Sequence, residues 1–156
     1  MDIKVKVGVV VVEDDGRVLL IKEKLSKEDP PLWNIIKGSH EAGETIFEGA
    51  VRECREEVGI DVELARSLGV YVSQEADKVR IQFNFLANAK STEIQLANGE
   101  DQELRGEAIL EARWFTKEEV TSMDPNEFMT ARTRELLKDW MSGKEFPLEV
   151  CKEVEM

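Results

Sequence analysis

Residues 38 to 60 read GSHEAGETIFEGAVRECREEVGI, and their order of polar and apolar side chains predicts a helix with both ends marked. Thr45 can accept from the backbone N–H three residues on while Glu48 reaches back to the cap, and Gly59 is suited to the left-handed turn that ends a helix. The spacing therefore predicts a helix over 46–58. Phe47, Val51, Cys54 and Val58 recur every four and three residues, one apolar stripe for burial against a sheet. Glu53, Glu56 and Glu57 are then expected on the opposite side. Carboxylates at i, i+3 and i+4 repel one another by about 0.2–0.5 kcal/mol per pair in an isolated helix, a cost that a bound divalent cation reverses. A charged helix face is most often plain solvated surface, so the residues around the glutamates decide between the two readings.

Gly38 is followed after five residues by Glu44, after seven more by Arg52-Glu53, after two by Glu56-Glu57, and after one by Gly59 and the apolar Ile60. This pattern resembles the Nudix box at each of its defining positions. The resemblance implies an α/β fold, a Nudix-like α/β/α sandwich with a mixed β-sheet between helices. It also implies hydrolysis of a nucleoside diphosphate linked to a further moiety X, with Mg²⁺ or Mn²⁺ as cofactor. By the same resemblance the Gly38 carbonyl, Glu53, Glu56 and Glu57 are the metal-binding groups, and Glu53 is the expected catalytic base. Glu44 and Arg52 are expected to pair and hold the loop against the helix behind them. Mg²⁺ takes oxygen ligands in a nearly octahedral arrangement and keeps several waters, so such a set suffices chemically. A further carboxylate from outside the box is expected from Glu103, Glu107 or Glu111, with no basis for choosing among them. Lys37, beside Gly38, and His40, the single histidine, are candidate substrate contacts, each with an incidental surface role as the plain alternative.

At 156 residues the chain is long enough to bury a core without disulfides and reads as one domain over residues 1–156. Cys54 and Cys151 are too few and too far apart for a disulfide framework or a zinc pattern, which suits a reducing, cytoplasmic setting. No secretory leader and no run long enough to span a bilayer is legible. Lys plus Arg number 21 against 33 Asp plus Glu, a net charge of −12, which argues against a nucleic-acid polymer as partner. An anionic small molecule such as a nucleotide then requires metal ions, with help from nearby Lys or Arg, to invert the local field. Whether the chain forms a homodimer is not legible.

Working outward, IKVKVGVVVVE at 3–13 alternates and then becomes continuously apolar, as a strand does on entering a sheet covered on both faces. Asp15-Gly16 marks a tight hairpin turn with RVLLIK, 17–22, as the returning strand. Residues 33–36 form a short strand leading into Gly38. DVELA and SLGVYVS suggest two strands, and 79–89 alternate most cleanly of all. Residues 90–106 read as a loop over the site, and 108–115 as a last strand. Thr116 with Glu119 marks one helix start; Asp124-Pro125 with Glu127 marks another, running to about Met141 with Met129, Leu136, Leu137 and Trp140 as its buried stripe. Residues 144–156 have no assigned place. The order of elements predicts a mixed sheet with a helix on each face.

The box begins Lys37-Gly38-Ser39 where Pro-Gly-Gly is commoner, and the Lys-Gly pair resembles the branch acting on dinucleoside polyphosphates and inositol pyrophosphates. The marks of the ADP-ribose, NADH and dinucleoside-polyphosphate branches are missing. This favours (deoxy)nucleoside triphosphates, cleaved to monophosphate and pyrophosphate, over dinucleoside polyphosphates or nucleotide sugars. A Nudix-fold nucleotide sensor without turnover is the rival from a different class, but such proteins often lose box glutamates, and here all are present.

Overall fold

The computed structural model describes residues 1–106 and 108–156. Strand β1 (Asp2–Val12) runs through the middle of a seven-stranded sheet, parallel to β6 (Lys78–Ala89) from Asp2↔Lys78 to Val12↔Asn88. Its other edge pairs antiparallel with β4 (Ile36–Ser39) and, at Val12↔Val18, with β2 (Val18–Glu23). Beyond these, β2 holds β3 (Leu32–Asn34) and β7 (Ile109–Phe115), while β6 holds β5 (Val62–Glu75).

The continuous apolar run in β1 follows from side-chain alternation between two cores. Val7, Val9 and Val11 join Leu19, Ile21, Ile36 and Phe85 beneath helix α1 (Ile46–Val58), which adds Ala50, Cys54 and Val58. Val10 faces the other way, with Leu20, Trp33 and Ile35, under Val120 of α3 (Lys117–Ser122) and Leu136, Leu137 and Trp140 of α4 (Ala131–Met141). The mixed sheet between helices is as expected, with two helices rather than one on the second face. Because successive residues of β1 enter opposite cores, the strand removes apolar surface from water on both faces, at roughly 25 cal/mol per Å².

Local readings differ from the structure where backbone pairing overrides side-chain pattern. The two strands expected after α1 are a single β5, whose register shifts between Leu64 and Arg66 and between Ser67 and Gly69. These bulges break the alternation, and Gly69 takes φ +96° at the second. In the first hairpin only Gly16 has positive φ, +88°, and the turn is closed by Gly16 N–H donating to the Glu13 carbonyl at 2.9 Å. The stretch 90–106 contains a short helix, α2 (Gly99–Leu104), capped by Asn98 accepting from Asp101 N–H at 2.8 Å. Asp124 caps a 3₁₀ turn over Pro125–Glu127, not the long helix. Phe128 and Met129 then pair with Trp33 of β3, so α4 starts only after its own cap, Thr130, and Met129 is no part of its stripe.

Residues 144–156 pack onto the first core. Phe146 exchanges both backbone bonds with Ser67 at 2.9 Å, and Leu148 and Cys151 touch the cluster beneath α1. The Glu153 carboxylate accepts from Ile46 N–H at 2.5 Å, satisfying a donor at the open start of α1. Among the described residues no helix is long and apolar enough to cross a membrane.

Gly8 sits where the two-sided strand passes under polar groups. A Cβ there would lie 2.6 Å from Asn84 Oδ1 and 2.7 Å from Gln82 Nε2, two atoms of a buried hydrogen-bonded pair. Gly8→Ala is expected to cost about 1–3 kcal/mol through overpacking, read as a lower urea midpoint; an unchanged midpoint refutes the close packing of this pair over β1.

Candidate active site

Helix α1 has the boundaries its sequence predicts. Thr45 Oγ1 accepts from Glu48 N–H at 3.0 Å, the Glu48 carboxylate accepts from Thr45 N–H at 2.9 Å, and Gly59 ends the helix at φ +67°. Its buried side is wider than the four-residue stripe. Gly49 and Ala50 also face inward, and Glu53 and Glu57, 5 % and 3 % exposed, are buried beside them. At 3.6 residues per turn these glutamates flank the stripe; they do not oppose it, and Phe47 and Val51 mark its half-buried edge. Glu53 therefore sits at the rim of the core rather than on a solvated face.

Gly38 makes room for it. Val7 pairs with Gly38, which places the missing side chain of Gly38 on the α1 face of the sheet. A Cβ there would come within 2.0 Å of the Glu53 carboxyl carbon. Only glycine allows β4 and this carboxylate to lie so close.

Arg52 ties the loop to the helix. Its Nε and Nη2 donate to the two oxygens of Glu44 at 2.9 and 2.8 Å, a bidentate pair. Nη2 also donates to the Ser39 carbonyl at 3.0 Å, and Nη1 to Glu53 Oε1 at 2.9 Å and Glu56 Oε2 at 3.1 Å. The Arg52 bond holds the Glu44 carboxyl below the usual range against an opposing effect of burial, and Glu44 in turn raises the Arg52 guanidinium. Burial, with the charges of Glu57 and Glu53, pushes the Cys54 thiol well up, so that it is an inert core group.

A cleft of about 490 Å³ lies across β4, with Glu53, Glu56 and Glu57 on one wall and Lys6, Lys37 and Arg80 on another. Lys37 lines it and donates to Glu23 Oε1 at 2.7 Å, and Glu23 also accepts from Asn34 Nδ2 at 3.1 Å. Lys6 donates to Ser39 Oγ at 2.8 Å; burial and then the charge of Arg80 lower its pKa. His40 is turned away from the cleft lining, its Nε2 2.7 Å from the Glu44 carbonyl, where it braces the loop. Glu103 and Glu111 are exposed and do not line the cleft, because α2 presents Leu104 and Arg105 there and Glu111 stands beside Arg113 on β7. Glu107 lies outside the described residues.

Glu23, Lys6, Arg80 and Arg105 line the cleft without having been expected there. Glu23 follows directly on the predicted β2 stretch, a weak signal at best. The others reach the site through strand pairing or from the end of α2, where the capping Arg105 donates from Nη1 to the Glu56 carbonyl at 2.9 Å.

The carboxylates supply hard oxygen donors of the kind Mg²⁺ and Mn²⁺ take, and Gly38 lines the same cleft. Among the described residues no three of them already converge on one cation position; the Arg52 N–H groups bridge Glu53 and Glu56 instead. The residues present fit a divalent ion in the kind of donor they offer.

The model of the NUDIX domain matches residues 2–140. This chain belongs to the Nudix family. It is 31 % identical over 123 residues to Nudix hydrolase 5 of Arabidopsis thaliana, covering 76 % of this chain and 38 % of that protein. It is 40 % identical over 63 residues to a putative 8-oxo-dGTP diphosphatase of Bacillus subtilis, covering 40 % of each. The chain thus spans about two fifths of these relatives, whereas its match to phosphatase NudJ of Escherichia coli, 26 % identical, covers 90 % of this chain and 85 % of that one. Among solved structures, a Nudix hydrolase of Nitrosomonas europaea superposes with TM-score 0.78 at 24 % identity over 97 % of both chains. A MutT Nudix hydrolase of Burkholderia pseudomallei gives 0.68 at 26 %, over 89 % of this Nudix chain and 98 % of its own.

The lowered Glu44 carboxyl predicts an acid-sensitive contribution to stability. Because the folded value is depressed, the stabilisation is complete above the ordinary glutamate value near 4.5 and is lost as pH falls through the lower, folded one. Urea unfolding followed from neutral pH to about pH 3 should show a steeper acid loss in wild type than in Glu44→Gln; parallel curves refute the assignment.

Proposed function

We propose that this Nudix chain is a metal-dependent pyrophosphohydrolase that cleaves a nucleoside diphosphate linked to X, with (deoxy)nucleoside triphosphates as its substrates and monophosphate plus pyrophosphate as products. The observation that carries this reading is the cleft in which Glu53, Glu56 and Glu57 face Lys6, Lys37 and Arg80 across β4. A diphosphate brings negative charge to both walls, and each wall answers it differently: the cations directly, the carboxylates only through a divalent ion. Such an ion, when bound, neutralises charge developing on the leaving phosphate and makes the attacking water more acidic. In this reading Gly38, Glu53, Glu56 and Glu57 hold it.

Glu53 is the group assigned to take the proton from that water. It is buried at the foot of the cleft, and Arg52 Nη1 fixes one of its oxygens at 2.9 Å. Arg52 is itself fixed by both oxygens of Glu44, so the base is oriented through a rigid pair and not through a flexible surface contact. Lys37 and Lys6 are assigned to the phosphate oxygens, where Lys37 exchanges its bond to Glu23 for one to substrate. The preference for triphosphates draws support from relatives named putative 8-oxo-dGTP diphosphatase and dihydroneopterin triphosphate diphosphatase, both of which match over the part of the chain that they cover at 40 % identity or above.

The test is phosphate release, coupled through pyrophosphatase and alkaline phosphatase, across nucleoside triphosphates, dinucleoside polyphosphates and nucleotide sugars. Turnover is expected with Mg²⁺ or Mn²⁺, none with chelator, and a fall of about 10²–10⁴-fold in kcat for Glu53→Gln at little change in KM. Near-normal turnover in a folded Glu53→Gln protein removes Glu53 from the role of base. Silence of the wild type across the whole panel overturns the enzyme reading in favour of a nucleotide sensor.

A further inference from the structure

A second cleft, of about 450 Å³, opens where β1, β5 and β6 meet the start of α4, and Arg80 lines both it and the first. Its walls carry Lys4, Lys78, Arg80 and Arg132 against one carboxylate, the exposed Glu75. The register explains the grouping. Arg80 lies between Lys4 on β1 and Ser73 on β5, directly opposite each, so the three side chains leave the same face of the sheet. Arg132 comes down onto that face from the first turn of α4, a turn that contains no acidic residue.

None of these four cations makes an ion pair among the described residues, in a chain whose net charge is −12. By contrast Arg17 is answered by Asp15, Arg52 by Glu44 and Arg55 by Asp61. Arg80 and Arg132 are both half-buried, and burial followed by the charge of Arg132 lowers the Arg80 pKa. Two partly desolvated like charges held near each other destabilise the fold unless an anion joins them. Among the described residues Glu75 of β5, opposite Lys78, is the one carboxylate that lines this cleft, and it makes no ion pair with Arg80 or Arg132.

We propose that Arg80 and Arg132, flanked by Lys4 and Lys78, form an anion subsite that binds a phosphate group of the substrate lying beyond the diphosphate at the glutamate wall. The proposal rests on the pyrophosphohydrolase reading and extends it to the substrate class: molecules with one more phosphate than the cleaved linkage requires. Arg80 stands two residues along β6 from Gln82, which lines the first cleft, a displacement of about 7 Å at the rise of a β-strand. The extra phosphate is either the end of a longer phosphate chain or a phosphate on the far moiety. A nucleic-acid polymer is disfavoured by the charge of the rest of the surface.

Isothermal titration calorimetry of inorganic pyrophosphate, with divalent ions chelated, removes the metal-dependent contribution of the glutamate wall, and Arg132, which lines the second cleft and not the first, reports on this subsite apart from Lys6 and Lys37. Binding is expected in wild type and should weaken about tenfold in Arg80→Met and in Arg132→Met, the loss of one charge-assisted contact. It should be unchanged in Lys144→Met, whose side chain lies by Asp139; thermal melts establish that each variant is folded. No binding by wild type, or equal binding by Arg132→Met, overturns the proposal. Adenosine 5′-triphosphate and adenosine 3′,5′-bisphosphate under the same conditions separate the two sources. A loss in Arg132→Met confined to the triphosphate assigns the subsite to the phosphate chain, one confined to the bisphosphate assigns it to the far moiety, and loss for neither overturns it. Pyrophosphate binding in a protein that hydrolyses nothing would sink the enzyme reading and leave the anion subsite standing, whereas hydrolysis without such binding would sink the subsite alone.

Discussion

The guanidinium of Arg52 has five N–H donors, and its bonds to Glu44, Glu53, Glu56 and the Ser39 carbonyl employ the whole group. Without it, the loop after β4 and the start of α1 would place several carboxylates in one partly buried space with nothing to offset them. Truncating one member of such a buried set costs about 3–5 kcal/mol, because the remaining charges are left uncompensated. The interaction also sets the relation of strand to helix. Ser39 ends β4, Glu44 lies in the loop, and Glu53 and Glu56 belong to α1, so one side chain fixes three segments in one geometry. The close approach of Glu53 to Gly38 follows from that geometry and is possible only because position 38 has no Cβ.

Local signals carried most of what the sequence disclosed. The capping-box partners of α1, Thr45 and Glu48, lie three residues apart, and the apolar run of β1 announces burial on both faces, so both were legible without tertiary information. The side of α1 on which Glu53 lies was misread for a physical reason. A stripe drawn through Phe47, Val51, Cys54 and Val58 omits Gly49 and Ala50, small residues that let the helix turn Glu53 and Glu57 inward against β4. The false start at Asp124 has a similar origin: the cap is real, but Met129 N–H finds the Trp33 carbonyl at 2.7 Å, and that sheet-like bond outcompetes the helix there. Arg80 was invisible as a site residue because its place depends on the parallel pairing of β1 with β6, a relation between segments far apart in the chain.

Net charge, read alone, suggests a molecule hostile to phosphate. The fold resolves this by sorting. The basic residues Lys4, Lys6, Lys37 and Arg80 fall on one face of the sheet, in neighbouring register positions, while the glutamates of α1 reach the same cleft from the other side of β4. A uniform −12 surface would repel a nucleotide from every direction; a sorted one leaves a positive approach ending at a wall that becomes attractive once a divalent ion is held there.

The sorting turns on one point in β1. On the face that carries the cations, the strand runs Lys4, Lys6, Gly8, Val10, so it passes from open cleft to closed core within a few residues. At the crossing, Gln82 and Asn84 bond to each other at 2.8 Å directly over Gly8, filling the space that a side chain would have taken. Thr133 of α4 donates to Asn34 Oδ1 at 2.5 Å, and Asn34 donates to Glu23, so a buried polar layer separates the apolar packing of α4 from the cleft. Buried polar groups of this kind are costly unless bonded to one another. Their presence along one boundary, with the helix ending on one side and the cations beginning on the other, is what allows a single strand to serve as core and as binding surface.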